Sequence, residues 1–218
     1  GVSRFMMDGD EKRVFSDVRG MYAKEGTLKN FAVYRNPYAF SLGYLTNENT
    51  ATNIAFEKNQ PVANLNQLLQ VIGLSGTNAL TEVGVGEPVT TNLTKGQDKY
   101  TLTNEADPAK IEWKFNLQSN KLYFVQIPER QAGSVNKSKV LLNSMSYPYE
   151  NRFQENQLWM IGNGNLDQMI TFAIENAKVK EWDLRDFKFY SIDITTLTNA
   201  LTQYKKTNDI TIDAYSNE

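Results

Sequence analysis

The chain contains neither cysteine nor histidine among its 218 residues. Without cysteine it has no disulfides, no thiolate nucleophile and no cysteine-based zinc site. Without histidine it lacks the commonest general base, the Ser-His-Asp triad and the usual transition-metal ligand. A metal ion could therefore be held only by oxygen atoms, and a catalyst would have to use carboxylates, lysine or tyrosine.

Long apolar runs and an excess of positive charge are also missing. No segment approaches the roughly 20 apolar residues that cross a bilayer, and residues 1–7 do not resemble a signal peptide. With 23 basic and 25 acidic residues the net charge is −2, so nucleic acid is not an expected partner. The 40% hydrophobic content is ordinary for a globular protein, and the length suits one large all-β domain or two small ones.

Alternation of apolar and polar residues dominates the chain after about residue 78. In IEWKFNL, residues 111–117, every second side chain is apolar, which is typical of a strand with one buried face. Similar strands are predicted in KLYFVQIP, KVLLNSM, QLWMIG, QMITFAIEN and EWDLRDFKFYSID. The pattern predicts a mainly β fold, an antiparallel, jelly-roll-like β-sandwich. We expect five of its side chains to be buried: Phe115, Leu117, Ile170, Phe172 and Ile174.

Two peripheral α-helices are predicted near residues 62–72 and 194–206. Asn59 is the expected cap of the first helix, and Gly73 the expected left-handed residue after its end. Asp193 is the expected cap of the second. The predicted apolar stripe of the first helix consists of Leu65, Leu68, Leu69 and Ile72.

The N-terminal quarter contains broken aromatic segments. We predict a strand over residues 18–22, a turn in AKEGT, a strand over residues 28–34 and a corner at Asn36-Pro37. FSLGYLT then resumes as a strand. The domain prediction is a flexible terminal segment over residues 1–13 and a single sandwich domain over 14–208. Residues 209–218 are predicted to be a strand of a following domain, and the chain to be part of a longer protein.

Two acidic groups resemble functional motifs. DGDE, residues 8–11, resembles the start of a calcium loop but lacks the later glycine and glutamate, so we predict no metal site. Asp183 and Asp186, near Glu181, have the composition of a glycosidase pair. Alternation with Trp182 instead favours outward-facing strand positions, and we predict no catalytic residue.

The segment SYPYENRF, residues 146–153, is the predicted ligand-binding site. Tyr147, Tyr149 and Arg152 crowd a proline-marked loop between strands. Tyrosine rings stack on apolar sugar faces, and a planar guanidinium makes bidentate contacts with anions. These residues therefore suit a sugar or a phosphate polymer. The alternative is a loop that folds back on the end of the sandwich, with its tyrosines as plugs.

Two early segments carry a resemblance to a known family. VYRNPYAFSLGYLTNEN and NQPVANLNQLLQVIGLSG resemble the "YeNpyalPlGy" and "NqnaLlkaltG" passages of YfhO-type bacterial membrane proteins. LYFVQIP and WDLRDFKFYSIDITTLTNALTQYKK resemble later strands and a strand-to-helix passage of that family, and VRGMY sits where "lgVkY" is common. The resemblance covers nearly the whole chain in the correct order. Ser41 departs from it, because the family pattern has proline there.

The resemblance implies a soluble extracytoplasmic region of a polytopic, glycosyltransferase-C-like protein. It implies a place at the extracellular face of the bacterial cell membrane and a role in glycosylation of cell-wall polymers. The implied partners are the protein's own transmembrane region, a following β-domain and a glycan or teichoic-acid-like acceptor. No catalytic motif and no cofactor carry over, so this region is not expected to be an enzyme by itself. The alternative is a purely structural domain that packs on its neighbours. The absence of cysteine is compatible with an exported domain of a Gram-positive bacterium.

Overall fold

The computed structural model describes residues 4–8, 22–29, 31–39, 54–74, 79–97, 99–127, 139–143, 145–146, 157–163, 168–176, 181–183 and 187–208. In these residues the fold is mainly β. The first strands are β1 Arg4–Asp8, β2 Ala23–Leu28, β3 Phe31–Arg35, β4 Thr81–Val83, β5 Val89–Thr91, β6 Leu93–Lys95, β7 Tyr100–Leu102 and β8 Ala109–Leu117. The others are β9 Lys121–Ile127, β10 Lys139–Leu142, β11 Met145–Ser146, β12 Gln157–Asn163, β13 Gln168–Asn176, β14 Glu181–Trp182 and β15 Lys188–Asp193. The helices are α1 Pro61–Val71 and α2 Ile194–Asn208.

The chain divides into two compact units, whereas the sequence predicts a single domain over residues 14–208. The smaller unit comprises residues 1–55, 66–79 and 193–218, and the larger comprises 56–65 and 80–192. The division follows the hydrogen bonding of the described strands. Strands β1, β3 and β2 form a sheet of their own, and β4–β15 form the sheets of the larger unit.

The larger unit is an antiparallel β-sandwich. One sheet has the strand order β11-β10-β13-β8-β5 and the other has the order β12-β9-β15-β4. Strands β8 and β13 pair antiparallel over nine residues, from Ala109 opposite Asn176 to Leu117 opposite Gln168. Side chains of both sheets meet in one apolar core, whose members include Ile111, Trp113, Phe172, Val125, Ile161 and Phe189. The predicted sandwich is therefore confirmed.

Four of the five side chains predicted to be buried are so. Leu117, Ile170, Phe172 and Ile174 are at most 2% exposed. The prediction for Phe115 is wrong, because this side chain is only partly buried and packs beside the core. Its ring lies 5.3 Å from the ring of Phe189 and 6.3 Å from that of Tyr123. It therefore lies at the border of the core.

The start of α1 differs from the predicted cap. The backbone oxygen of Gln60 accepts the amide of Asn64 at 2.9 Å, so Gln60 is the N-cap residue. Asn59 takes a left-handed φ of 61° and reverses the chain just before the helix. The Asn64 amide group binds both backbone polar groups of Glu57, at 2.8 and 3.0 Å. The Asn64 side chain therefore holds the segment that enters the helix, and Asn59 is not the cap that the sequence predicts.

Helix α1 ends at a glycine with a left-handed backbone, as the sequence predicts. Gly73 has a φ of 93°, a conformation that L side chains rarely adopt. Its amide bonds the oxygen of Gln70 at 3.0 Å, and the amide of Leu74 bonds the oxygen of Leu69 at 3.1 Å. These two bonds make a Schellman motif, which satisfies carbonyl groups that a helix end leaves open.

The buried face of α1 differs from the predicted apolar stripe. Asn66 and Leu69 are its buried residues, whereas Leu68 is 42% exposed. Asn66 and Leu69 are three residues apart and so share one helix face. Leu68 lies to the side of that line, which an apolar count alone does not reveal.

The first hairpin also corrects the predicted turn. AKEGT belongs to β2, and the turn follows it, because Leu28 pairs directly with Phe31. Lys29 takes the left-handed φ of 54° that a two-residue turn requires. Gly26 follows an irregularity in the register of β2, so this glycine marks a bulge rather than a turn.

The corner at Asn36-Pro37 is confirmed. The side-chain oxygen of Asn36 accepts the amide of Tyr38 at 3.0 Å, and its backbone oxygen accepts the amide of Ala39 at 3.4 Å. From α2, the Nζ of Lys205 donates to the carbonyl oxygens of Pro37 and Ala39. The corner is therefore tied to the last turns of α2.

Helix α2 begins as predicted. Asp193 Oδ1 accepts the amide of Thr196 at 2.7 Å, which is the geometry of an N-cap.

At the other end of the chain, β1 pairs with β3 where the sequence predicts a flexible segment over residues 1–13. The strand predicted in FSLGYLT and the one predicted over residues 209–218 lie outside the described residues.

Candidate binding site

A small sheet of the larger unit gathers several polar side chains. Its strand order is β14-β7-β6, and Tyr100 pairs with Lys95 on one side and with Trp182 on the other. The β6–β7 turn closes through a bond of 2.8 Å from the amide of Gly96 to the oxygen of Lys99. A Cβ atom on residue 96 would lie 3.1 Å from that oxygen, so glycine suits this tight closure.

Two exposed ion pairs flank Tyr100. Lys95 Nζ donates to Glu87 Oε2 at 2.9 Å, and Tyr100 Oη donates to the same oxygen at 3.2 Å. Lys99 Nζ donates to Glu181 Oε2 at 2.8 Å. We call these five residues the Tyr100 corner. Lys95 and Glu87, which precedes β5, lie on the face of Tyr100. Glu181 pairs with Thr101 rather than with Tyr100, so Glu181 and its partner Lys99 lie on the opposite face of the small sheet.

The environment shifts the pKa values of three groups in the Tyr100 corner, Glu87, Lys95 and Tyr100. Hydrogen bonds from Lys95 and Tyr100 lower the pKa of Glu87, and the bond to Glu87 raises the pKa of Lys95. Burial raises the pKa of Tyr100, and the hydrogen bond to Glu87 raises it further. Near neutral pH the carboxylate and the ammonium are therefore charged and the phenol is neutral. This arrangement suits binding of a polar ligand better than proton donation by Glu87.

Tyr100→Phe is expected to make the free energy of unfolding fall less steeply with pH in the alkaline range. A raised phenol pKa stabilises the folded state below the unfolded-state value of about 10, and this contribution is lost as pH rises through the folded-state pKa. The wild-type chain should therefore lose stability more steeply above about pH 10 than the variant. Urea unfolding followed by tryptophan fluorescence at several alkaline pH values measures the difference. Identical slopes would contradict the assigned environment.

Trp182 lies beside Tyr100 in the register and is fully buried. Its indole nitrogen has no hydrogen-bond partner in the described part of the chain. A buried donor without a partner costs about 1–3 kcal/mol. The cost is offset by the packing of the indole, which belongs to the main apolar core.

A second charged group lies on β8. Glu112 bonds Lys110 at 2.8 Å and Lys114 at 3.2 Å, and these bonds lower its carboxyl pKa. The three residues alternate along one strand, so they share one face of the sheet. A row of this kind is the ordinary polar face of a half-buried strand. Its exposed lysine, Lys114, can therefore serve as a control for the lysines of the Tyr100 corner.

The sequence-predicted site residues fall mostly outside the described residues. Tyr147, Tyr149 and Arg152 do so, as does Asp186, and their roles stay predictions. Asp183 is half-buried next to β14. No cluster of three acidic residues that could hold a metal ion occurs in the part of the chain that the structure describes.

Sequence reasoning missed the Tyr100 corner. The signal lay in LTKGQDKYTL, where two short alternating segments flank a glycine-containing turn. That pattern places Lys95 opposite Tyr100 on neighbouring strands. Glu87 precedes the hairpin by several residues, and its approach could not be inferred from spacing.

Comparison with known proteins gives one assignment. No helix in the described residues is long and apolar enough to span a membrane. No curated protein and no solved structure matches the chain. The family model described as bacterial membrane protein YfhO matches residues 4–218. This match confirms the resemblance noted in the sequence, and the chain belongs to the YfhO family of bacterial membrane proteins.

Proposed function

We propose that this region is an extracytoplasmic accessory part of a polytopic membrane protein that acts in the glycosylation of cell-wall polymers. In this role it holds a glycan or teichoic-acid-like acceptor at the extracellular face of the cell membrane. Chemistry on the sugar belongs to another part of the protein. The proposal joins membership of a membrane-protein family to the polar surface of the sandwich.

The Tyr100 corner is the observation that carries the proposal. A polymer with hydroxyl and phosphate groups needs both donors and acceptors, and an ammonium paired with a carboxylate supplies both. The side chains of Lys95, Lys99, Glu87 and Glu181 are all more than half exposed. Anionic groups of a polymer can therefore reach either lysine, one on each face of the small sheet, without a change in the sandwich core.

The tyrosines and arginine predicted from the sequence extend the same chemistry. Tyr147 and Tyr149 would stack on sugar rings, and Arg152 would bind phosphate. Their part in acceptor binding is a separate element of the proposal, and variants of these three residues test it independently.

Titration calorimetry of the chain with purified teichoic acid and with a neutral glycan tests the proposal. The double variant Lys95→Met and Lys99→Met is expected to weaken teichoic-acid binding about tenfold and to reduce its dependence on salt. The matched control is the double variant Lys114→Met and Lys188→Met, which also removes two ammonium groups; their side chains are 53% and 46% exposed, close to the 58% and 53% of Lys95 and Lys99. Loss of binding in the control variant to the same extent would show that only bulk charge matters.

The loop residues are tested in the same experiment. Tyr147→Ala with Tyr149→Ala is expected to weaken binding of the neutral glycan more than that of teichoic acid. Arg152→Met is expected to weaken binding of teichoic acid more than that of the neutral glycan. Unchanged binding in all these variants would remove the loop from the proposed acceptor site.

The alternative function is a structural domain that packs on its own membrane part or on a neighbouring β-domain. It is favoured by the exposed apolar side chains on the described strands, such as Val89 and Met169 on the sandwich. If no polymer binds the wild-type chain, the alternative replaces the acceptor role.

A further inference from the structure

Glu87 accepts two hydrogen bonds on a single carboxylate oxygen. Lys95 Nζ donates to Oε2 at 2.9 Å, and Tyr100 Oη donates to the same atom at 3.2 Å. Lys95 and Tyr100 pair directly across β6 and β7, so their side chains lie on the same face of the small sheet. An ammonium and a hydroxyl therefore converge on one anionic oxygen atom.

The hydroxyl of this pair has a fixed position. Tyr100 is 8% exposed and belongs to the main apolar core, so packing holds its ring and with it the place of the Oη atom. The hairpin is also closed at its turn by the bond from the amide of Gly96 to the oxygen of Lys99. The hydroxyl therefore stays in place when Glu87 moves away from it.

The Glu87 side chain lies at the surface and can leave the two donors by rotation alone. It is 75% exposed and belongs to the connection between β4 and β5, not to the hairpin. Val85 packs against the core and β5 begins at Val89, so the backbone is anchored on both sides of Glu87. An exposed ion pair contributes little to stability, and an incoming anion can replace it at small cost.

We propose that Glu87 is an internal competitor for the acceptor and makes this position selective for phosphate. Its carboxylate oxygen stands in the place of a phosphate oxygen of the polymer, and the phosphate displaces it to bond Lys95 and Tyr100. A phosphate replaces the negative charge beside the ammonium, whereas a sugar hydroxyl does not. The inference rests on the acceptor-binding function proposed above. It adds the chemical group recognised beside Tyr100 and the residue that limits the affinity.

Titration calorimetry with teichoic acid and with a neutral glycan tests the role of Glu87. Glu87→Gln keeps the size of the side chain and removes its charge. It is expected to bind teichoic acid about three- to fivefold more tightly than the wild-type chain, because phosphate no longer has to break an ion pair. Binding of the neutral glycan is expected to stay unchanged.

The phenol is tested by Tyr100→Phe in both backgrounds. In the Glu87→Gln chain this change is expected to weaken teichoic-acid binding about threefold, because the phosphate loses a donor. In the wild-type chain the effect is expected to be smaller, since there the hydroxyl only exchanges one anionic acceptor for another. Equal effects in the two backgrounds would show that Glu87 and the phosphate do not share this donor.

The matched control is Glu82→Gln on β4. Glu82 is 58% exposed and bonds one lysine, Lys188, at 3.4 Å, so the change removes the same charge and releases one ammonium without a phenol. It is expected to change binding by less than about twofold. An equal gain in Glu82→Gln and Glu87→Gln would overturn the inference, because net charge would then explain both.

The same titrations separate this inference from the proposed function. If the wild-type chain binds teichoic acid and Glu87→Gln binds it no more tightly, only the inference fails. If neither chain binds, the acceptor-binding function fails and the inference fails with it. Binding by Glu87→Gln alone would support the inference, since the carboxylate would then exclude the phosphate completely.

Discussion

Phe172→Ala is expected to lower the free energy of unfolding of the sandwich by about 3–5 kcal/mol. Phe172 is 1% exposed, and its ring centroid lies 5.9 Å from that of Trp113 and 6.2 Å from that of Phe189. Trp113 is its partner on the neighbouring strand, whereas Phe189 belongs to the opposite sheet. Alanine would remove contacts within one sheet and between the two sheets, and the paired strands limit how far the space can collapse.

Urea unfolding followed by tryptophan fluorescence measures this loss. All three tryptophans, Trp113, Trp159 and Trp182, belong to the larger unit, so the signal reports on the sandwich. The matched control is Met169→Ala on the same strand, because Met169 is largely exposed. It is expected to change the free energy of unfolding by about 0.5 kcal/mol or less. A loss below about 1 kcal/mol for Phe172→Ala would show that the aromatic core is not as close-packed as described.

The sandwich could be predicted because its strands carry a strong local signal. In β8 and β13, alternation identifies both the strand and its inner face, since a half-buried strand must place every second side chain in the core. The signal weakens for three-residue strands such as β4 to β7, where too few residues alternate to define a period. It fails for β1, whose pairing with β3 depends on residues far apart in the sequence.

Turns and caps can be predicted where one residue determines the backbone. Gly73 and Asp193 are examples, because a left-handed φ and an N-cap bond are local properties. The prediction for Asn59 is wrong since asparagine suits both a cap and a left-handed turn, and only the bonds of Gln60 and Asn64 decide between them. The prediction of a turn in AKEGT is wrong for a similar reason, because its glycine, Gly26, marks a bulge and glycine suits bulges as well as turns.

The Tyr100 corner could not be predicted from the sequence, because its residues come together only in the folded chain. Glu87 lies outside the hairpin that carries Lys95 and Tyr100, and Glu181 comes from a strand about eighty residues later. Composition alone excludes histidine- and cysteine-based sites, because the chain contains neither residue. It does not show which of the many lysines and glutamates meet.

Gly162→Val is expected to destabilise the sandwich by about 1–3 kcal/mol, the usual range for an overpacked core. Gly162 lies in β12, where the register with β9 is irregular. A Cβ atom on residue 162 would lie 3.0 Å from Leu117 Cδ1 and 3.2 Å from Ile170 Cδ1, which belong to the opposite sheet. Leu117 and Ile170 are both almost fully buried, so neither has free space into which to move.

A double-mutant cycle with Leu117→Ala separates this steric cause from a backbone effect. Leu117→Ala alone is expected to cost about 2–5 kcal/mol, because it leaves a cavity in front of Gly162. If Gly162 is required for the close approach of the two sheets, valine at residue 162 should partly fill that cavity. The two losses should then sum to at least about 0.5 kcal/mol more than the loss measured in the double variant. Additive losses in urea unfolding would contradict the steric explanation, and they would assign the cost of Gly162→Val to the bulged backbone of β12.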